Sequence, residues 1–228
     1  MTHGKKDQDH LEVIMYSKPS IPDRTNYLLG SSDENPVYPM IKAGKALELL
    51  SVDYIAIPCI TAHYFYKELA AKLQPTIIHG VRETALYLKN YGAYKVGLMA
   101  TEGTISTYLF QNILQEYGIE TITPGTYQQR CINHIIYQNV KANKAVDMDK
   151  FYMVADNLRA QGAQIIILAC SELSMLKRYY NMGPGFLDTM EVLAMRSLTL
   201  CNIKLKEEYK SLVTKEKIPR SVLCKKMF

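Results

Sequence analysis

Two ten-residue segments of this chain follow the same plan, and their repetition constrains the fold more than any other feature. Residues 52–61 and 163–172 each run from an apolar, strand-like stretch into a cysteine, then a hydroxyl residue at the start of a helix-like stretch. The two cysteines, Cys59 and Cys170, lie 111 residues apart, which is too far for a solenoid repeat and suits two similar lobes. In open parallel sheets, ligands bind beyond the carboxyl ends of the strands. We therefore expect both thiols at such ends, beside a crevice.

The rest of the chain alternates short apolar runs with longer amphipathic runs. Strands are expected at residues 11–16, 52–58, 76–79, 94–100, 119–122 and 163–169, and helices at 36–50, 62–73, 81–91, 104–117, 132–140, 147–161 and from 189 into the 200s. This order predicts an α/β fold of two pseudo-symmetric lobes, each a parallel sheet flanked by helices with right-handed crossovers. The first lobe is expected to comprise residues 1–92 plus 193–228, and the second lobe residues 93–192.

Composition restricts the class of protein. Hydrophobic residues make up 48% of the chain and charged residues 21%, which is typical of a globular protein with a real core. The net charge of +5 is modest, and its lysines concentrate towards the end of the chain without a basic, aromatic-rich face, so nucleic acid is not an expected partner. No apolar run approaches the roughly 18–20 residues that span a membrane, so no membrane association is expected either.

The cysteine pattern indicates chemistry rather than cross-linking. The five cysteines are odd in number, widely spaced and without a C-x-x-C pair, which is typical neither of a disulfide framework nor of a zinc site. It favours a reducing, cytoplasmic compartment. A single free cysteine is often only a buried packing residue. Two at equivalent strand ends favour function, because a helix N-terminus stabilises a thiolate and lowers a pKa that is ordinarily about 8.5.

Five strings in the same order resemble the aspartate/glutamate racemases that work without pyridoxal phosphate. They are Asp-Gln-Asp-His at residues 7–10, Tyr-Ser-Lys-Pro-Ser-Ile-Pro-Asp-Arg-Thr at 16–25, Ile-Pro-Cys-Ile-Thr-Ala-His-Tyr at 57–64, Ala-Thr-Glu-Gly-Thr at 100–104 and Leu-Ala-Cys-Ser-Glu-Leu at 168–173. Phe-Leu-Asp-Thr at 186–189 also resembles the stretch before that family's last helix. The resemblance extends over about residues 7–200 and implies the same two-lobed α/β fold.

The resemblance implies a cofactor-independent racemase of an acidic amino acid, aspartate or glutamate, that binds no metal and forms a homodimer. A racemase removes the α-proton from one face of its substrate and returns a proton to the other, so two groups of similar basicity on opposite faces suffice. By resemblance, Cys59 serves one enantiomer and Cys170 the other. Two alternatives stay open: a catalytically silent protein that binds a small acid, and a two-cysteine isomerase of a related small acid.

The same resemblance assigns further residues to the substrate. Arg24, in a rigid Pro-Asp-Arg loop, corresponds to an arginine that holds a substrate carboxylate, and Lys141 to a substrate-binding lysine of the aspartate-preferring members. Each could instead be an ordinary surface cation. Hydroxyl or backbone contacts are expected from three residues that could equally be helix caps: Thr61, Thr104 and Ser171.

Two residues near the thiols have open roles. Glu172, two residues after Cys170, is expected either to raise the pKa of that thiol or to hydrogen-bond the substrate amine. His63, one turn past Cys59, is expected either to be a core histidine bonded to the backbone or to tune the thiolate. The sequence does not choose between these roles.

The chain departs from the family at two places. It contains neither the leading strand nor the Gly-Gly-Met-Gly loop with which the family usually opens, so the first lobe is expected to lack that strand and one wall of the site. Ile60 stands where the family typically has an asparagine beside the substrate. Isoleucine offers no side-chain hydrogen bond, and an unpaired polar group in a pocket costs about 1–3 kcal/mol. Ile60 is therefore assigned to the substrate site with two interpretations open: an apolar wall that fits a different substrate, or a lesion in a site for aspartate.

Overall fold

The computed structural model describes residues 1–215 and has the predicted alternation of strands and helices. The strands are β1 (Tyr54–Ala56), β2 (Thr76–Ile78), β3 (Lys95–Ala100), β4 (Glu120–Ile122), β5 (Ile165–Ala169) and β6 (Phe186–Asp188). The α-helices are α1 (Arg24–Leu28), α2 (Val37–Glu48), α3 (Tyr66–Ala70), α4 (Gly80–Tyr91), α5 (Glu102–Ser106), α6 (Leu109–Glu116), α7 (Thr126–Asn133), α8 (Met148–Ala160), α9 (Ser171–Tyr179) and α10 (Thr189–Leu200). There are also short 3-10 helices at Asp7–Asp9, Ile60–Phe65 and Glu207–Tyr209, and a π-helix at His134–Val140.

The named strands all pair in parallel, in two sheets. β1 pairs with β2, and the second sheet has the order β4-β3-β5-β6. Every residue of the central strand β5 is buried, as expected for a strand that is covered on both faces. The predicted α/β class, with parallel sheets flanked by helices, is confirmed.

The four-stranded sheet separates two apolar layers, because the side chains of each strand alternate between its faces. One face carries Leu98 and Ile167, which belong to a buried cluster with residues of α4 and α6. The opposite face carries Met99 and Leu168, which belong to a second cluster with residues of α7 and α8. Since both faces are covered, polar chemistry is confined to the edge where the strands end.

The last helix connects the two sheets. α10 follows β6 of the four-stranded sheet, yet it packs along α4 and touches β1 and β2 of the other sheet. If α10 belongs to the first lobe, the chain must return from the second lobe to the first after β6, and the position of α10 agrees with this. The residue boundaries of the two lobes stay a prediction. Residues 216–228, which include Cys224 and the end of the predicted first lobe, lie outside the described part of the chain.

The strand predicted at residues 11–16 is wrong. These residues have no regular secondary structure, and Val13 and Met15 are 71% and 88% exposed. An apolar run forms a stable strand only when a neighbouring strand supplies partners for its backbone N–H and C=O groups. Within residues 1–215, the sheet of this half consists of β1 and β2 paired with each other, so residues 11–16 have no such partner.

Other elements differ from the sequence pattern in detail. The helix predicted at residues 104–117 is divided into α5 and α6 at Tyr108, whose φ of 54° is left-handed and interrupts the helix. β6, which pairs with β5, has no counterpart among the predicted strands, because three residues are too few to show a period. Within residues 1–215, no helix is both long enough and apolar enough to cross a membrane.

The packing against the sheet predicts the effect of one truncation. Phe151 of α8 is fully buried, and its ring lies 5.5 Å from that of Phe186 in β6. Phe151→Ala should lower the free energy of unfolding by about 3–5 kcal/mol, because it removes buried contacts and leaves a cavity. Urea denaturation followed by circular dichroism measures this. Tyr38→Ala, at a position 73% exposed on α2, is the control and should change it by less than about 0.5 kcal/mol. Equal losses in the two variants would contradict this account of the core.

Candidate active site

A cleft of about 170 Å³ lies at the carboxyl ends of β1, β3 and β5. Cys59 lies three residues after β1, while Thr101 and Cys170 directly follow β3 and β5, and all three line the cleft. Two wider depressions, of about 340 and 540 Å³, contain neither thiol. The complete lining of the cleft is Asp23, Arg24, Thr25, Pro58, Cys59, Ile60, Thr61, Thr101, Tyr137, Lys141, Ala169, Cys170, Ser171 and Glu172.

The two thiols stand at equivalent places in different surroundings. Cys59 precedes the 3-10 helix Ile60–Phe65 and is partly exposed, whereas Cys170 precedes α9 and is 7% exposed. The expected lowering of the thiol pKa at a helix start does not hold for Cys170. Burial raises the pKa of this thiol well above its usual range, and the charge and hydrogen bond of Glu172 raise it further. Both effects favour the thiol form of Cys170 over the thiolate.

Glu172 is the polar centre of the Cys170 side of the cleft. The Cys170 thiol donates to Glu172 Oε2 over 2.8 Å, and the Ser171 hydroxyl donates to the same oxygen over 3.0 Å. Lys141 Nζ lies 3.9 Å from the other oxygen, Oε1. Of the two roles that the sequence left open for Glu172, the structure shows contact with the thiol.

Three threonine hydroxyls join the segment after β1 to the segment after β3. Thr61 Oγ1 lies 3.0 Å from Thr101 Oγ1 and 3.0 Å from Thr104 Oγ1, and the latter two are 3.1 Å apart. Thr61 and Thr101 line the cleft, while Thr104 is fully buried behind them. The triangle therefore holds the Cys59 side of the cleft against the four-stranded sheet.

Arg24 is held rigidly at the start of α1. Its Nη1 donates to the carbonyl oxygens of Pro22 (3.0 Å) and Ile21 (3.3 Å), which leaves Nη2 and Nε as further donors. Gly103 allows this segment to approach α5 closely, because a Cβ at that position would lie 3.0 Å from the Cα of Thr25. Asp23, which also lines the cleft, caps α1 by accepting from the backbone N–H of Asn26.

Tyr137 is a cleft residue that the sequence analysis missed. It lies on the π-helix, and Lys141 Nζ lies 4.7 Å from the centre of its ring. Burial raises the pKa of the Tyr137 phenol, and a hydrogen bond with Thr25 opposes that rise. Because residues four apart share a face of a helix, the assignment of Lys141 to the site could have indicated Tyr137 as well. Thr101, Asp23 and Thr25 were also missed.

Two of the assigned residues lie outside the cleft lining. Thr104 is one, and it acts through the threonine triangle. His63 is the other: it is 2% exposed, its Nε2 lies 3.1 Å from the carbonyl oxygen of Ile57, and it matches the core-histidine alternative. Burial, together with the nearby His79, lowers the pKa of His63 to about 4, so this imidazole is neutral at physiological pH.

The remaining assigned residues line the cleft, but the side chain of Ile60 is almost completely buried in the core. These are Arg24, Cys59, Ile60, Thr61, Lys141, Cys170, Ser171 and Glu172. Ile60 is 2% exposed, and its side chain belongs to the same buried cluster as Val81 and Ala85 of α4. Its role as an apolar wall for the substrate stays a prediction.

Several known proteins are similar to this chain. The sequence profile of the Asp/Glu/Hydantoin racemase family matches residues 1–196. The broad specificity amino-acid racemase RacX of Bacillus subtilis (strain 168) is 29% identical over 196 residues, which is 86% of this chain and 84% of that protein. The structure of Picrophilus torridus aspartate racemase superposes with a TM-score of 0.79 and 29% identity, over 92% of this chain and 88% of that one. An aspartate racemase homologue from Pyrococcus horikoshii OT3, with a TM-score of 0.68 and 20% identity over 84% of each chain, shares the fold. These matches confirm the resemblance that the five motifs indicate.

The threonine triangle predicts a stability effect. Thr104→Val keeps the shape of the side chain but leaves the hydroxyls of Thr61 and Thr101 short of a partner, so the free energy of unfolding should fall by about 1–3 kcal/mol. Thr199→Val, at an exposed position of α10 where the hydroxyl bonds a helix carbonyl, is the matched control and should change it by less than about 0.5 kcal/mol. Urea denaturation measures both. A Thr104 variant as stable as the control would show that the triangle contributes nothing.

Proposed function

Because this chain belongs to the Asp/Glu/Hydantoin racemase family, we propose that it racemises an amino acid with the two thiols Cys59 and Cys170 and without a cofactor. The observation that carries this proposal is the placement of both thiols, from equivalent strand ends of two sheets, in the lining of one cleft. The two carboxylates of the lining are already engaged, since Asp23 caps α1 and Glu172 accepts hydrogen bonds from Cys170 and Ser171.

The reaction needs one base and one acid on opposite faces of the substrate Cα. One cysteine, as thiolate, removes the α-proton, and the other, as thiol, donates a proton to the opposite face. The two exchange roles in the reverse direction. Thiols suit this cleft, because additional carboxylates would repel the substrate carboxylate.

We propose an acidic amino acid, aspartate or glutamate, as the first candidate substrate. Such a substrate presents two carboxylates, and the cleft presents two cations, Arg24 and Lys141. The free Nη2 and Nε donors of Arg24 match the fork geometry of a carboxylate. Thr61, Thr101 and Ser171 add hydroxyl groups to the same lining, and these would have to exchange their present partners to donate to the substrate. The named activity of the Picrophilus torridus relative agrees with this candidate.

A second candidate is a wider range of amino acids with uncharged side chains. The observation that favours it is the charge of the lining, in which the carboxylates of Asp23 and Glu172 equal the cations of Arg24 and Lys141 in number. A zwitterion with an uncharged side chain adds no net charge to such a cleft, whereas aspartate adds one negative charge beside a thiolate. The broad specificity named for the Bacillus subtilis relative agrees with this candidate.

The two-thiol mechanism is tested by removing each cysteine. Cys59→Ala and Cys170→Ala should each lower the rate of racemisation by roughly 10²–10⁴-fold or more, because one face of the substrate loses its proton carrier. In deuterated water, the product of the wild type should carry deuterium at Cα. Polarimetry and mass spectrometry measure these results for aspartate, glutamate and glutamine.

The control for both variants is Cys201→Ala, a partly exposed cysteine at the end of α10, which should keep the wild-type rate. Undiminished turnover in either cleft variant would contradict the two-base assignment. Faster turnover of glutamine than of glutamate would favour the second candidate substrate. Thermal stabilisation by these amino acids without racemisation or deuterium exchange would instead indicate a silent binding protein.

The role of Arg24 is tested by a substitution that keeps its charge. Arg24→Lys loses the fork of donors, and since a hydrogen bond to a charged group is worth about 1.5–3 kcal/mol, KM should rise at least about tenfold. Steady-state kinetics measures KM. Arg159→Lys is a matched control, because Arg159 also donates to a proline carbonyl, that of Pro184, but lies outside the cleft lining. An unchanged KM in the Arg24 variant, with its melting temperature intact, would place Arg24 outside the site.

A further inference from the structure

We propose that Glu172 decides where the proton shared by the two thiols rests: in the free protein Cys170 holds it, and Cys59 is the residue left to act as base. The difference in proton affinity between the two thiols is a property of the folded protein alone. What this difference means for turnover rests on the proposed function. The sequence gives the two cysteines the same plan, so the asymmetry must come from their neighbours.

The geometry at Cys170 favours the thiol. The distance of 2.8 Å between Cys170 Sγ and Glu172 Oε2 is a hydrogen bond in which the S–H donates, because an ionised carboxylate only accepts. A thiolate at Cys170 would lose this bond and would place a second negative charge against the carboxylate. Cys170 is also 7% exposed, so water does little to screen that repulsion. Burial and the Glu172 carboxylate act in the same direction and raise the pKa of the Cys170 thiol.

Cys59 has different surroundings. It is partly exposed, and within residues 1–215 no carboxylate accepts a hydrogen bond from its thiol. The Arg24 guanidinium lines the same cleft from α1, beside Asp23. The carboxylate contact that disfavours a thiolate at Cys170 therefore has no equivalent hydrogen bond at Cys59.

The other ionisable groups that face Cys170 leave this bias in place. Lys141, at the end of the π-helix, lies 3.9 Å from Glu172 Oε1 and is 42% exposed, so its attraction for the carboxylate is weak and screened. Tyr137, on the same helix, is a neutral phenol at neutral pH, since burial raises its pKa. Asp188, at the end of β6, accepts hydrogen bonds from the Ser174 hydroxyl and the backbone N–H of Met190, whereas the Cys170 thiol donates to Glu172.

The difference in proton affinity between Cys59 and Cys170 gives the catalytic cycle a resting state. Cys59 as thiolate takes the α-proton, so that the Cα–H bond breaks and an S–H bond forms, and Cys170 gives its S–H proton to the opposite face of the carbanion. The protein is then left with a Cys59 thiol and a Cys170 thiolate beside Glu172. A proton must pass from Cys59 to Cys170 by way of solvent before the same direction can be repeated. Repulsion from Glu172 drives this return.

Site-resolved alkylation tests the proposal without any need for turnover. The full chain is treated briefly with iodoacetamide from pH 6 to pH 10.5, and the alkylated peptides of Cys59 and Cys170 are quantified by mass spectrometry. Only a thiolate reacts, so the pH at which the alkylation rate is half-maximal reports the ionisation of each thiol. The accessibility of the thiol affects the maximal rate and not this midpoint. In the wild type, the midpoint of Cys170 should lie above that of Cys59.

Glu172→Gln supplies the decisive comparison. Glutamine keeps the size of the side chain and an acceptor oxygen but removes the charge, so the midpoint of Cys170 should fall by about one pH unit or more, while that of Cys59 moves less. Glu102→Gln is a matched control: Glu102 is also an acidic residue in the first turn of a helix that follows a strand, accepts a hydrogen bond from Asn133 and lies outside the cleft lining. It should leave both midpoints unchanged.

Two results would overturn the proposal. One is a wild-type Cys170 midpoint at or below that of Cys59, a comparison that does not depend on how any variant folds. The other is a Cys170 midpoint that stays in place in Glu172→Gln with circular dichroism unchanged. Either result would leave two-thiol racemisation standing if turnover and deuterium exchange are observed. The predicted midpoints without turnover would support the role of Glu172 and contradict the proposed function.

Discussion

The register between β3 and β5 is the constraint on which the rest of the site depends. Ala100 of β3 lies opposite Ala169 of β5, so the next residues, Thr101 and Cys170, leave the sheet side by side. A slip of one residue would send every side chain of a strand to the other face of the sheet, and both faces of this sheet are filled with apolar side chains. Burial therefore fixes the register, and the register fixes where the thiol of Cys170 emerges.

The other half of the molecule is tied to that edge by hydroxyls rather than by strand pairing. Thr61, two residues after Cys59, bonds Thr101 and Thr104 at the end of β3. These bonds lie in a nearly dry environment, where a hydroxyl left without a partner is costly, so this small polar contact adds specificity to the apolar packing of α4 and α10 that joins the two sheets. The same dryness makes the carboxylate of Glu172 effective on Cys170, since little water screens the two groups. The hydroxyl contact between the two halves and the Glu172–Cys170 pair therefore both lie at the carboxyl ends of β1, β3 and β5.

Much of the fold could be predicted from local pattern. The apolar run 163–169 contains the buried strand β5, and Gly92 ends α4 with a left-handed φ of 85°, as a glycine at a helix C-terminus should. The run at residues 11–16 is equally apolar, yet it forms no strand. Period and composition report whether a segment can lie in a sheet, but they do not report whether a partner strand is adjacent to it.

The sequence by itself determined the α/β alternation, the placement of Cys59 and Cys170 at strand ends, and the set of polar residues that follow them. Only the tertiary structure decided how these residues differ from one another. It buried Cys170 against Glu172, left Cys59 partly exposed, and brought in Tyr137 from a π-helix. The physical reason is that strand and helix patterns are set by neighbours in the chain, whereas burial, hydrogen bonding and the resulting charge state depend on groups that meet only when distant segments pack together.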